Sequence, residues 1–259
     1  MPELPEVESA VRRLRRVVAG KTIERVDLLH PSLRRRISAA RLRSLRGATI
    51  RGVERRGKHQ LFVLEDGRLL HAHFRMTGDW HLGRADEPLP RFARAAIVLK
   101  GGSRVVLDDP RALSTLDVHP AGVPLALGLG PEPGDPSLTS DRLHAALSKR
   151  RGPIKPVLLD QRVIAGLGNI YAAEALWHAR IAPTTSASSL SRRDVARLLT
   201  SIRRVIDRAM GARYTDPSVG RLAVYGREGK RCRRCHGPIA RTVQAGRSTY
   251  FCPRCQIST

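Results

Sequence analysis

Long apolar runs, cysteines and acidic residues are all scarce in this chain. No apolar run is long enough to span a bilayer, and the N-terminus lacks the apolar core of a signal peptide. These absences argue against a membrane-spanning or exported protein. We therefore expect a cytoplasmic protein, associated with the nucleoid if its partner is DNA. Internal repeats and low-complexity tracts are also missing, so nothing indicates a repeat architecture.

The shortage of acidic residues leaves a large positive charge. Only 23 Asp and Glu stand against 47 Lys and Arg, which gives a formal net charge of +24 and a pI near 11.5. This excess predicts a polyanionic partner, with nucleic acid ahead of an anionic membrane surface. An Arg-rich proteome would explain part of the charge. Because the basic residues are scattered along the chain, we expect a folded basic surface rather than a disordered arm.

The hydrophobic pattern predicts an α+β protein with more than one domain. Val7, Val11, Leu14 and Val18 recur at helical spacing, which predicts a helix over Glu6–Val18. Short strand-like segments follow to about residue 108, with turns at Asp66-Gly67 and Gly101-Gly102, and predict an N-terminal β-sandwich. Helical periods then run from about 141 to 210. We expect domains at 1–118 and 138–226, a Pro- and Gly-rich linker at 119–137, and a cysteine module at 227–259.

All four cysteines fall in the last part of the chain. They form two C-x-x-C pairs with sixteen residues between them, Cys232 with Cys235 and Cys252 with Cys255. This spacing predicts one tetrahedral Zn²⁺ site, and four protein ligands make the metal structural. Two disulfides are the alternative, but a reducing compartment disfavours them. The segment between the pairs fits a β-hairpin turning at Ala245-Gly246, and His236 is read as a turn residue.

The first eight residues allow two interpretations. Removal of Met1 would expose the secondary amine of Pro2, with the carboxylate of Glu3 beside it. An α-amino group has a pKa of roughly 7.7–8.0, so part of it is nucleophilic near neutrality and forms an iminium ion with a sugar carbon. The other interpretation is the start of a helix, since Pro5 and Glu6 suit a first turn.

Further polar residues occur in the helical half. Lys155 lies between two prolines, and Gly166 and Gly168 precede a predicted helix whose N-terminus could bind an anion. A packing role for this turn is equally consistent with the pattern. Glu174 is read as an acid that stabilises the start of that helix. Asp109-Pro110-Arg111 is read as an ordinary turn.

Taken together, these segments resemble the formamidopyrimidine-DNA glycosylase/endonuclease VIII family of bifunctional DNA repair enzymes. The resemblance runs through nearly the whole chain in the family's order. It rests on Pro2-Glu3-Leu4-Pro5-Glu6-Val7-Glu8, Arg56-Gly57-Lys58, Met76-Thr77-Gly78, Asp109-Pro110-Arg111, Leu129-Gly130-Pro131-Glu132-Pro133, Ile154-Lys155-Pro156, Gly166-Leu167-Gly168-Asn169-Ile170-Tyr171-Ala172, Val224-Tyr225-Gly226-Arg227 and the four cysteines.

The resemblance implies a β-sandwich, a helix–two-turn–helix module and a β-hairpin zinc finger, in a monomer that binds damaged double-stranded DNA between its lobes. It implies that Pro2 is the nucleophile, Glu3 the acid/base, and Lys58 an essential lysine near the phosphates and the lesion. Met76 and Arg111 would fill the gap left by the flipped base.

The same resemblance implies that three residues of the C-terminal half contact the DNA backbone, namely Lys155, Asn169 and Arg247. The implied activity is base excision with β,δ-elimination at the abasic site. A lesion-binding protein that has lost excision is the alternative, and a zinc-ribbon transcription or RNA-binding protein would explain only the charge and the cysteines.

The chain departs from the family pattern at three places. Ala112-Leu113-Ser114 stands where the family often has Arg-Phe-Gly, so the aromatic wedge is missing and Leu113 is a candidate replacement. Ala212 to Ala223 is short for the loop that caps a flipped 8-oxoguanine, and Arg91 to Arg94 replaces a His/Asp-rich block. Broader lesion choice with weaker 8-oxoguanine activity follows as a hypothesis.

Overall fold

The computed structural model describes residues 2–34, 37–210 and 222–257. The chain forms two compact units, Met1–Leu127 and Gly128–Thr259. The division falls inside the segment 119–137 for which the sequence predicts a linker, and the domain bounds stay a prediction. Among the described residues, no helix is long and apolar enough to cross a membrane.

The first unit begins with helix α1, Leu4–Val18. Val7, Val11, Leu14 and Val18 are each completely buried, so the periodic apolar stripe faces the core. The helix begins two residues earlier than the pattern predicts. The backbone N–H of Glu3 donates to Glu6 Oε2 at 2.8 Å, which satisfies a donor just before the first turn.

Two four-stranded antiparallel sheets are present in the described part of this unit and confirm the predicted sandwich. One sheet has the order β1-β6-β7-β5 and the other β2-β3-β4-β8. Both sheets contribute to a single apolar core. The strands are β1 Ile23–Leu28, β2 Ile50–Arg56, β3 His59–Leu64, β4 Leu69–His73, β5 Asp79–Arg84, β6 Ala93–Leu99, β7 Ser103–Asp108 and β8 Thr115–His119, and the short helices α2 Pro31–Arg34 and α3 Ala39–Arg43 lie between β1 and β2.

Both predicted hairpin turns are present. Gly67, with φ of 84°, joins β3 to β4, and Gly101 and Gly102, with φ of 92° and 83°, join β6 to β7. A positive φ is costly for other residues, which explains why glycine occupies these positions.

The second unit is helical and ends in a hairpin. Its elements are α4 Ser140–Leu147, α5 Ile154–Leu158, α6 Asn169–Ala179, a 3₁₀ turn at Ala187–Ser189, α7 Arg192–Ala209, β9 Ala240–Gln244 and β10 Arg247–Phe251. Ser191 is the N-cap of α7, as predicted, since its Oγ accepts from Asp194 N at 3.2 Å. The hairpin turns at Ala245 and Gly246, also as predicted.

A small core joins the hairpin module to α6. Ala173 and Trp177 of α6 pack with buried Cys232, Ile239 and Cys252. The guanidinium of Arg234 lies 4.1 Å from the centre of the Trp177 ring, a cation–π contact. The cysteine module is therefore fixed to the helix that begins at Asn169.

Candidate active site and nucleic-acid interface

Pro2 and Glu3 lie at the start of α1. Glu3 is completely buried, while Pro2 is half-buried. The Glu3 carboxyl group is thus removed from water in the residue next to Pro2, and its role as an acid/base stays a prediction. Glu6 accepts from the Glu3 backbone and so fixes the direction in which the chain enters the helix.

A second acid of the same helix positions the turn that carries Lys58. Glu8 is paired with Arg12 at 2.9 Å and with Arg55 at 2.8 Å. Burial opposes the charge on Glu8, but the hydrogen bonds from Arg55 and Arg12 outweigh it and lower the pKa of this carboxyl. Arg55 also donates to the carbonyl of Gly57 at 3.1 Å. Lys58, only 8% exposed, therefore follows a turn that is tied to α1.

Two loops at the same end of the β2-β3-β4-β8 sheet as the Lys58 turn meet at a buried carboxylate. Asp109 is completely buried and accepts from the hydroxyl of Thr77, from Leu113 N at 2.7 Å and from Ser114 N and Oγ at 2.8 and 2.5 Å. Burial again opposes ionisation, yet the donors from Ser114 and Thr77 lower the pKa of Asp109. The sequence predicts only an ordinary turn at Asp109-Pro110-Arg111. In the structure, Asp109 of that turn joins its own loop to the loop that contains Thr77.

These two loops carry the side chains expected to fill a gap in DNA. Met76 is 36% exposed and precedes Thr77, while Arg111 and Leu113 lie on the Asp109 loop and are exposed, Leu113 at 39%. Large apolar side chains held at loop tips can enter a base stack. Arg94 supports the same loop, because its Nε donates to the Asp109 carbonyl at 2.6 Å.

Replacing Asp109 with Ala is expected to lower the free energy of unfolding by about 3 kcal/mol, since several hydrogen-bond donors lose their buried, charged acceptor. Urea denaturation would measure this loss. Asp79→Asn is the control, because the Asp79 side chain is exposed and, within the described part of the chain, pairs only with exposed Arg13. A loss no larger than that of the control would show that Asp109 does not hold the loops.

In the second unit, the buried Lys155 joins the start of α6 to strand β10. It is 1% exposed, and its ammonium donates to Asn169 Oδ1 at 2.5 Å, Thr249 Oγ1 at 2.7 Å and the Ser248 carbonyl at 3.2 Å. Asn169 Nδ2 donates to the same Ser248 carbonyl at 3.0 Å. The predicted DNA contacts Lys155 and Asn169 are thus brought together with the hairpin, and Asn169 remains half-buried at the first position of α6.

The four cysteines form one cluster. All four sulfur atoms lie within 4.8 Å of one another, with Cys232 and Cys255 Sγ 3.9 Å apart and Cys235 and Cys252 Sγ 3.4 Å apart. Zn–S bonds of about 2.3 Å require tetrahedral sulfur–sulfur edges of about 3.8 Å. The cluster therefore fits one structural Zn²⁺ and no disulfide is formed. His236 lies in a turn with φ of 58° and is outside the cluster, as predicted.

Comparison with known protein families matches three segments of the chain. Residues 1–116 match the formamidopyrimidine-DNA glycosylase N-terminal domain, residues 129–217 its H2TH domain, and residues 229–257 the zinc finger found in this glycosylase and in isoleucyl-tRNA synthetase. The chain belongs to the formamidopyrimidine-DNA glycosylase family. It is a base-excision repair enzyme, and AP lyase activity is typical of this family.

Several relatives match over their full length. The formamidopyrimidine-DNA glycosylases of Thermus thermophilus and Rhizorhabdus wittichii are 42% and 40% identical over 274 residues, covering 99% of this chain and 98% and 100% of theirs. The crystal structure of the Thermus protein matches with a TM-score of 0.86 at 40% identity and full coverage of both chains. The Lactococcus lactis glycosylase bound to DNA with an abasic site matches with a TM-score of 0.91 at 32% identity, covering 98% and 99%.

Glu174 of this glycosylase makes contacts that its position in the sequence does not predict. Glu174 is 5% exposed, and its carboxylate accepts from the backbone N–H groups of Ala223, Val224 and Tyr225 at 2.7 to 2.9 Å. The reading of Glu174 as an acid that stabilises its own helix is therefore wrong. It anchors a segment about fifty residues away, and periodicity contains no signal for such a contact.

The sequence patterns also do not predict a row of four histidine side chains on strands β3, β4 and β8. Nδ1 of His59 lies 2.8 Å from Nε2 of His71, whose Nδ1 lies 3.3 Å from Nε2 of His119, and the ring of His73 packs edge-on against His59. Burial lowers the pKa of His59 and His71 to about 4, and the positive charge of Arg75 adds to this effect at His59, as do the neighbouring imidazoles His59 and His119 at His71. Histidines spread over three strands give no local motif, although cross-strand register would have aligned them.

The imidazole row makes the stability of the glycosylase depend on pH. Unfolded histidine has a pKa near 6.5, so between pH 6.5 and 4 the unfolded chain binds protons that the folded chain does not. We expect the free energy of unfolding to fall as the pH drops through this window, and His71→Asn to weaken that slope. Urea denaturation at several pH values measures it. An equal effect of His81→Asn, at an exposed histidine of β5, would contradict the prediction.

Proposed function

We propose that this glycosylase removes oxidised or ring-opened bases from double-stranded DNA through a covalent intermediate on Pro2. After removal of Met1, the Pro2 nitrogen attacks C1′ of the damaged nucleotide, and the bond from C1′ to the base breaks. Glu3 exchanges the protons that opening of the sugar requires. The observation that carries this proposal is the complete burial of Glu3 directly beside the half-exposed terminal residue.

The lyase step follows from the same intermediate. An iminium ion between Pro2 and C1′ withdraws electrons from the sugar, so that a C2′ proton is lost and the 3′ phosphate leaves. A second elimination releases the 5′ phosphate. We assign Lys58 to the phosphates near the lesion, because the Glu8 and Arg55 network holds its turn at α1.

Three side chains are proposed to fill the gap left by the extruded nucleotide. Met76 and Arg111 take the positions that the family resemblance implies, and Leu113 replaces the absent aromatic wedge. Support comes from Asp109, which ties the two loops together and leaves Met76 and Leu113 partly exposed. An aliphatic side chain that occupies the base stack still offsets part of the free energy needed to extrude the damaged base.

In the second unit we propose Asn169 and Arg247 as DNA backbone contacts. Arg247 is exposed at the hairpin turn, and Asn169 begins α6, where the helix dipole favours a phosphate. Lys155 acts differently. Because its ammonium donates to three acceptors within the unit, we assign it the positioning of Asn169 and the hairpin.

The proposed substrates are oxidised pyrimidines, ring-opened purines, hydantoins and abasic sites in nucleoid DNA, with weaker action on 8-oxoguanine. This choice rests on the sequence departures at Leu113 and at Ala212 to Ala223. The second segment lies almost wholly outside the described residues, so it has no structural account. Single-turnover excision of the base lesions, with the purine lesions opposite cytosine, and strand cleavage at the abasic site test the choice. Equal rates on 8-oxoguanine and ring-opened purine would refute it.

Borohydride trapping tests the chemistry. Reduction of the iminium should attach the methionine-processed enzyme covalently to DNA that contains an abasic site. The alternative function is a lesion-binding protein without excision. It would bind the same DNA and give no covalent product.

A further inference from the structure

A pocket lined with arginines lies beside the cysteine cluster, within the second unit. Its volume is about 550 Å³, within the range of ligand sites. Four arginines line it together with two zinc-binding cysteines and one apolar residue, namely Arg180, Arg197, Arg234, Arg254, Cys235, Cys255 and Ile257. Nothing in the proposed excision chemistry uses this pocket.

Two of these arginines are held in place by the end of α6. Arg197 donates to the Ala179 carbonyl at 2.7 Å and to Asp194 at 2.7 Å. Arg234 donates to the Trp177 carbonyl at 3.2 Å while its guanidinium lies on the Trp177 ring. Their charges therefore offset the negative end of the helix dipole and fix one wall of the pocket.

The other two arginines are differently placed. Within residues 2–34, 37–210 and 222–257, the side chains of Arg180 and Arg254 make no hydrogen bond and no ion pair, and both residues are exposed. Arg180 ends α6 in the left-handed conformation with φ of 57°. The Arg254 side chain lies across Gly237, where an added Cβ would be 2.8 Å from Cδ. Two guanidiniums thus face one concave surface with their donors available.

The pocket is separate from the DNA contacts proposed above. Arg180 and Asn169 are at opposite ends of α6, and eleven residues of helix span about 16 Å. A phosphate bound at Asn169 therefore does not reach the arginines at the far end of the helix. Exposed Ile257, 68% accessible, adds an apolar edge suited to a sugar ring.

We propose that this pocket binds a backbone phosphate of a second DNA segment, so that the enzyme passes directly from one duplex to another. Guanidinium groups match phosphate oxygens in pairs, which favours a phosphate over a carboxylate ligand. DNA is favoured over a free phosphate because a chain of net charge +24 that binds DNA releases the counterions condensed on the DNA. A repair enzyme that must search a large excess of undamaged DNA gains from a second site of this kind.

The test measures release of the full-length, zinc-loaded enzyme from a labelled duplex that contains an uncleavable abasic analogue. Direct transfer makes the release rate rise with the concentration of unlabelled, undamaged duplex. We expect this dependence in the wild type and a several-fold weaker one in Arg180→Gln/Arg254→Gln, with release in the absence of competitor unchanged. Arg193→Gln/Arg208→Gln removes the same charge from α7 outside the pocket and should behave as the wild type.

Three outcomes would overturn the proposal. The first is a wild-type release rate that does not depend on competitor, and the second is an equal loss in both double variants. The third is a loss of pyrophosphate binding, measured by calorimetry, in Arg180→Gln/Arg254→Gln while its release still depends on competitor as in the wild type, since the ligand of the pocket would then be a free phosphate. If the glutamine variant loses zinc, Arg180→Lys/Arg254→Lys decides: a dependence weaker than wild type supports the pocket, and a wild-type dependence overturns it.

Discussion

Glu3→Gln is expected to lower the rate of base excision by about 10²- to 10⁴-fold, the range that one general acid/base supplies. Glutamine has nearly the same shape, so α1 and the buried position of the side chain are preserved. The amide cannot exchange the proton that sugar opening requires. Single-turnover excision of a ring-opened purine from a duplex would measure this loss.

The same variant should keep its reaction with a preformed abasic site. The aldehyde form of that sugar is already open, so attack by Pro2 and trapping by borohydride depend less on Glu3. Glu24→Gln is the matched control, since Glu24 is an exposed acid of the same unit that pairs with Arg25. Equal loss of excision and trapping would assign Glu3 to structure rather than to proton transfer.

Removal of zinc is the second large effect. Without the metal, four thiols replace the tetrahedral cluster, and the hairpin loses its attachment to α6 because Cys232 and Cys252 belong to their shared core. Ser248 and Thr249 then no longer hold Lys155. We expect affinity for a duplex with an abasic analogue to fall about 10²-fold or more, since several phosphate contacts depend on this arrangement.

Chelation followed by fluorescence anisotropy would measure this loss, and addition of Zn²⁺ should restore binding. The first unit has its own core and should keep its β-sheet circular dichroism throughout. Unchanged affinity in the metal-free protein would contradict the placement of the DNA contacts around the hairpin.

Local patterns were sufficient to predict much of the fold. The period of Val7 to Val18 predicts α1, glycines at positive φ mark the hairpins, and the paired cysteines predict the metal cluster. Each of these features involves residues that are close in sequence or follow a fixed spacing. The positions of these elements can therefore be predicted from the spacing of residues in the sequence.

Long-range polar contacts could not be predicted in this way. Glu174 accepts from residues 223–225, and Asp109 accepts from Thr77 as well as from its own loop. An acid that joins distant backbone segments looks the same in sequence as one that faces solvent. The internal acceptors of Lys155, namely Asn169, Ser248 and Thr249, could likewise not be predicted, because charge alone does not show what surrounds a lysine. The contact between Lys155 and the DNA backbone that the resemblance implies stays a prediction.

The central claim is that Pro2 is the nucleophile, and mapping the trapped complex tests it most directly. Protein whose start methionine has been removed is reacted with abasic-site DNA, reduced with borohydride, digested and analysed by mass spectrometry. The proposal predicts that the sugar remnant is attached to the peptide that begins at Pro2, and that protein retaining Met1 gives no adduct. Attachment to Lys58 or to another lysine, or trapping of protein that retains Met1, would contradict it.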